Sequence, residues 1–149
     1  MYRKILVALD GSDCSARALE HAIDLARRCD TPLRLLNVVD TLPMGVEAAS
    51  AETWQVIVQS LRERSQAVLD EARARALAGG VAAEAVRVEF PLGRVADTIV
   101  DEAKAHGCDL IVMGSHGRRG FSHLMLGSDA ERVLRVSTLP VLVVRQPEG

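Results

Sequence analysis

The feature that most restricts what this chain can fold into is a regular alternation of short apolar runs with longer helical stretches. Ile5-Leu6-Val7-Ala8-Leu9 is apolar at every position, as expected of a strand covered on both faces. Asp10-Gly11-Ser12-Asp13 then supplies turn and N-cap chemistry, and Ala16, Leu19, Ile23 and Ala26 follow at helical spacing to about Cys29-Asp30. Pro32 opens a second strand, Leu33 to Val39, and Pro43 to Ser50 reads as a loop. A longer helix is expected from about Glu52 to Ala78, with Trp54, Ile57, Leu61, Val68 and Ala72 as its inner stripe and Gly79-Gly80 ending it. Ala85 to Phe90 is a third strand. Pro91-Leu92-Gly93 turns into a helix carrying Val95, Ile99 and Ala103, which Gly107 closes. Leu110-Ile111-Val112-Met113 is a fourth strand, a last helix begins near Ser128 with Ala130, Val133 and Leu134, and Pro140 to Val144 is the fifth strand.

Five strands with intervening helices require right-handed crossovers, so the pattern predicts an α/β fold with a parallel sheet and helices on both faces. No internal repeat or linker interrupts it, and residues 1–149 are expected to form a single domain. Open sheets of this kind place ligands outside the carboxyl ends of their strands. The residues that matter therefore follow each strand: Asp10-Gly11-Ser12, Val38-Val39-Asp40, Pro91-Leu92-Gly93 and Gly114 onward.

Composition narrows the function classes. A net charge of −2 argues against a nucleic-acid partner, and the few aromatic residues (Tyr2, Trp54, Phe90, Phe121) offer no base-stacking platform. The apolar run near the N-terminus stops at Asp10, too short for a signal peptide or a membrane span. Cys14, Cys29 and Cys108 are odd in number and lack Cys-x-x-Cys spacing, so the expected setting is the reducing cytoplasm, with all three thiols packed.

The most informative segment leaves the fourth strand as Gly114-Ser115-His116-Gly117-Arg118-Arg119-Gly120 and returns at Gly127-Ser128 before the last helix. Glycines permit positive φ and close approach of backbone N–H groups to a ligand, and a helix N-terminus attracts anions. Together they predict a polyphosphate cradle, with Arg118 and Arg119 placed to neutralise its charge. A purely structural alternative stands beside each part. Gly114 and Gly117 can serve a tight turn, Ser128 with Glu131 spells a Ser-x-x-Glu capping box, and a basic pair is usually solvated. Neither a Walker A loop nor a Gly-x-Gly-x-x-Gly fingerprint is present.

The spacing Gly114-x2-Gly117-x9-Gly127-Ser128 resembles the nucleotide motif of the ATP-binding universal stress proteins. The opening Lys4-Ile5-Leu6-Val7-Ala8-Leu9-Asp10-Gly11-Ser12 and the closing Pro140-Val141-Leu142-Val143-Val144-Arg145 are similar to that family as well. The resemblance implies strand order 3-2-1-4-5 in an open sandwich of the adenine-nucleotide-hydrolase type. It implies ATP (or ADP or AMP) across the ends of strands 1 and 4, with Mg²⁺ or Mn²⁺ carried by the phosphates. Ala8 and Leu9 would line the adenine pocket, and Val38 would offer backbone hydrogen bonds to adenine. Met113, Gly114, His116 and Gly117 would surround the ribose and first phosphates. Gly127, Ser128 and the following N–H groups of Asp129 and Ala130 would hold the outer phosphates. Asp10 would meet the adenosine; from the residues alone, bonding ribose hydroxyls and capping the first helix are equally good readings. The resemblance also implies a homodimer through the strand Val141–Val144, whose apolar edge no helix follows.

Asp129 departs from that family pattern, in which an apolar residue or threonine often follows Gly-Ser. A carboxylate there favours the empty helix end by roughly 0.3–1 kcal/mol and repels a terminal phosphate, so a weaker grip on ATP or a shorter phosphate chain is expected. His21 and His106 read as helix-surface residues, and His123 as a loop residue. No spacing suggests a protein metal site or a catalytic nucleophile. The expected role is that of a nucleotide-dependent regulator or interaction module; the alternatives are a slow ATPase and a structural dimer without nucleotide.

Overall fold

The computed structural model describes residues 1–40, 50–89, 91, 93–117 and 125–147. They form β1 (Ile5–Ala8), α1 (Asp13–Cys29), β2 (Leu33–Val39), α2 (Ala51–Ala78), β3 (Ala83–Glu89), α3 (Val95–Ala105), β4 (Leu110–Gly114), α4 (Ser128–Val136) and β5 (Val141–Val144). The strands make one parallel sheet in the order β3-β2-β1-β4-β5, as expected. The third strand begins two residues earlier than Ala85. Phe90, Arg118, Arg119 and His123 lie outside the described residues.

Alternation along the strands sorts the core into two layers. Ile5, Val7, Leu33, Leu35, Leu110 and Val112 pack with α1 and α2, whereas Leu6, Leu36, Ile111 and Met113 pack with α3 and α4. β1 and β4 are adjacent, with Ile5, Leu6 and Val7 beside Leu110, Ile111 and Val112. The chain leaves β1 for α1 on one face and β4 for α4 on the other. The carboxyl ends of these two strands therefore part and open a crevice between them.

The inner stripe of α2 is Val58, Ser65, Leu69, Ala72 and Ala76. Of the expected stripe only Ala72 is fully buried; Trp54, Ile57, Leu61 and Val68 are half-buried. At 28 residues α2 is about 42 Å long, against roughly 23 Å for the seven-residue β2 beside it. Its early turns therefore overhang the sheet, where burial does not follow the stripe a flat surface would select. Arg34, inside the apolar second strand, is buried as well. Its guanidinium meets Glu84 at 2.9 Å and Glu102 at 3.0 Å at the end of the sheet away from the crevice.

Candidate functional site

The four helices begin differently. α1 is capped by Ser12, whose hydroxyl accepts from Ser15 N–H at 3.1 Å, and α2 by Ser50, which accepts from Thr53 N–H at 3.2 Å. The N-cap residues of α3 and α4 are Arg94 and Gly127, and neither helix has a side-chain cap. The Ser-x-x-Glu box, the structural alternative to a phosphate site, is not formed: Gly127, not Ser128, is the N-cap residue, and its carbonyl accepts from Glu131 N–H at 2.9 Å. The two uncapped helix ends face one cleft of about 700 Å³, whose lining includes Gly93 and Arg94 as well as Gly127 to Ala130.

Every described residue expected at the site lines that cleft: Ala8, Leu9, Asp10, Val38, Met113, Gly114, His116, Gly117, Gly127, Ser128, Asp129 and Ala130. Arg118 falls outside the described residues. Gly114, Gly117 and Gly127 do not use positive φ, contrary to one reason expected for them; near the cleft that conformation is taken by Gly11 (φ 81°) and Gly93 (φ 116°). Close approach explains them instead. A Cβ on Gly114 would lie 2.9 Å from Cys14 Sγ and 3.0 Å from its carbonyl carbon. One on Gly127 would lie 2.9 Å from the Ser115 carbonyl oxygen, and one on Gly117 would lie 2.6 Å from Asp10 Oδ2.

Asp10 does not cap α1 directly. Its Oδ1 accepts from Ser12 N–H at 2.9 Å, which sets the turn, while Oδ2 faces Gly117. The Gly127 N–H donates to the Ser115 carbonyl at 2.7 Å, closing the loop's base. The unpaired donors of α4 are thus the N–H groups of Ser128, Asp129 and Ala130. Ser115 is buried, with its hydroxyl 3.0 Å from His116 Nδ1, and its N–H donates to Val144 C=O at 2.8 Å. The Cys14 thiol donates to the same oxygen at 3.3 Å. Burial in the cleft mouth pushes the Asp129 carboxyl above its ordinary range, and the charges of Asp10 and Asp40 add to that rise.

The cleft also takes in residues not singled out beforehand, among them Asn37, Arg64, Ser65, Arg94 and Arg132. Arg132 is held by Asp97 through two bonds of 3.0 Å, joining α4 to α3. Asp40 and Gly93 belong to strand ends already marked by the sheet argument. Arg64 and Ser65 come from the middle of α2, beside the Arg62–Glu89 ion pair at the end of β3, where no local sequence signal points to a site. Among the described residues no group of three or more His, Cys, Asp or Glu side chains is placed to hold a metal ion. No helix among them is long and apolar enough to cross a membrane.

Residues 1–145 match the model of the universal stress protein family, and the chain belongs to that family. Universal stress protein MJ0531 of Methanocaldococcus jannaschii is 38% identical over 149 residues, covering 99% of this chain and 85% of that protein. The solved structure of MJ0577 aligns with a TM-score of 0.85 at 29% identity, covering 100% of this chain and 99% of that one. A universal stress protein solved in complex with cAMP aligns at 28% identity and a TM-score of 0.73, over 98% of this chain and 99% of its own. The universal stress protein from Archaeoglobus fulgidus, solved in complex with dAMP, aligns at 25% identity and 0.68, over 97% and 98%.

Proposed function

We propose that this protein binds an adenine nucleotide in the cleft over β1, β2 and β4 and acts in the cytoplasm as a nucleotide-dependent regulator or interaction module. The observation that carries the reading is the meeting of the β1 end, the β2 end and the glycine loop at one cleft with two uncapped helix N-termini. Its size suits a nucleotide. The complexes of two similar proteins with cAMP and dAMP support the adenine part.

In this arrangement Ala8, Leu9 and Val38 hold the base, and Asp10 accepts from ribose hydroxyls. Met113, Gly114, His116 and Gly117 enclose the ribose and first phosphate. Further phosphates, with any Mg²⁺ or Mn²⁺ they carry, meet the free N–H groups of Ser128, Asp129 and Ala130, with Arg118 supplying charge from the loop. β5 is the last strand of the sheet, and Leu142 on it is 39% exposed. A homodimer formed along this edge is part of the proposal.

Calorimetric titration with ATP, ADP, AMP and cAMP, together with mass spectrometry of the purified protein for carried-over nucleotide, tests the binding. Saturable binding of at least one of them at micromolar concentration is expected. Absence of binding up to millimolar concentrations, with no nucleotide carried over, overturns the reading.

A further inference from the structure

Asn37 is a buried polar residue in the last part of β2, and its side chain does something the sheet would ordinarily do for itself. In the β1–β2 ladder, residues 5, 7 and 9 turn their peptide groups toward β2. Ile5 N–H donates to Pro32 C=O at 3.2 Å and Leu9 N–H to Leu36 C=O at 2.8 Å. The register, Ala8 beside Leu36, places Leu9 opposite Asn37. The next rung of a parallel ladder would run from Val38 N–H to Leu9 C=O. That carbonyl instead accepts from the Asn37 side-chain amide, Nδ2 to O, at 2.7 Å.

We propose that Asn37 is a positioning residue that ends the β1–β2 ladder one rung early and so keeps the N–H and C=O of Val38 available to a ligand. By the parity of the ladder both groups of Val38 face the β1 side beyond Ala8, and Val38 lines the cleft there. A buried carbonyl left without a donor would draw Val38 N–H onto itself. Asn37 removes that demand from a position that leaves Val38 untouched. The neighbouring donor and acceptor on one residue match a heterocycle edge carrying an acceptor next to an amino group, as in a 6-aminopurine. A 6-oxo purine presents the reverse order and is disfavoured. The recognition half of this inference rests on the nucleotide reading above; the ladder half does not.

The experiment combines amide hydrogen exchange by NMR with titration of AMP and IMP, on the wild-type protein and on Asn37→Leu. In free wild-type protein the Val38 N–H is expected to exchange far faster than those of Leu35 and Leu36, and to become protected when AMP is added. In Asn37→Leu it is expected to be protected without ligand. AMP affinity should fall about tenfold, the scale of one lost hydrogen bond, with IMP affinity unchanged. A Val38 N–H as protected as its β2 neighbours in the free wild-type protein overturns the proposal, as does an unchanged AMP-to-IMP ratio in the variant. If Asn37→Leu fails to fold, the wild-type exchange measurement decides. Wild-type protein that binds neither nucleotide overturns the functional reading and with it the recognition half, while the exchange of Val38 still decides whether Asn37 ends the ladder.

Discussion

Gly114, Gly117 and Gly127 answer to different neighbours, and the difference predicts different phenotypes. At Gly114 an added methyl meets Cys14, including its backbone carbon at 3.0 Å, in a packed junction between β4 and α1. Gly114→Ala is expected to destabilise the fold by about 1–3 kcal/mol in urea unfolding, because neither element can retreat cheaply. At Gly117 the obstacle is the tip of a side chain, Asp10 Oδ2. A carboxylate can rotate away. Gly117→Ala is therefore expected to fold with stability within about 0.5 kcal/mol of wild type and to bind adenine nucleotide about tenfold more weakly, since Asp10 is displaced from the cleft. Equal affinity with intact folding would assign Gly117 to the loop's shape alone. The spacing of these glycines was readable from the sequence, but the reason for them was not. Each is fixed by an atom brought close only by the tertiary fold: Cys14 in α1, Asp10 after β1, and the Ser115 carbonyl.

At the scale of elements, the nucleotide proposal makes the start of α4 the part that sets how much phosphate the cleft accepts. Asp129 adds a carboxylate to the turn that offers the free N–H donors, and its pKa lies above the ordinary value of 3.8 through burial, with Asp10 and Asp40 adding to the rise. The ionised form repels a terminal phosphate, and the protonated form does not. As the pH falls, Asp129 takes up its proton earlier than an ordinary carboxyl, so wild-type affinity for ATP should rise relative to Asp129→Asn. Titration of the phosphates is common to both proteins and cancels in the comparison. In low-magnesium buffer at neutral pH, Asp129→Asn is expected to tighten ATP about tenfold and AMP little, as read by calorimetry. Parallel pH profiles for the two proteins would remove Asp129 from the account. The positions of all nine elements were legible because strand and helix periods differ so plainly along this chain. The face of α2 was not. Its early turns extend past the sheet and stay largely exposed, which periodicity against a flat layer cannot anticipate. Nor was Arg34 marked, because a single charge inside an apolar run gives no sign of the Glu84 and Glu102 that receive it.

For the whole molecule, the proposed homodimer places a second copy against β5. Val143 packs into the α3 and α4 layer, so a polar group there would confuse misfolding with loss of assembly. Leu142 is the better probe, being 39% exposed on the outermost strand. Leu142→Lys is expected to keep the fold and to shift sedimentation from dimer toward monomer at micromolar concentration. A variant as dimeric as wild type would move the proposed interface elsewhere. The parallel sheet followed from the alternation of strand and helix periods, whereas its order, β3-β2-β1-β4-β5, was legible only through the resemblance to the universal stress proteins. The contribution of Asn37 followed from neither, since its partner, the Leu9 carbonyl, is a backbone atom 28 residues away.

The carbonyl oxygen of Val144 receives both the Ser115 N–H and the Cys14 thiol. One atom at the end of β5 thus fastens the edge strand to the base of the glycine loop and to the first helix. A ribosome must release β5, the last strand in chain order among the described residues, before that fastening can form. Until then the loop's base lacks its anchor, so a product cut short just before Val144 would keep most of its sheet and still present an unfinished cleft.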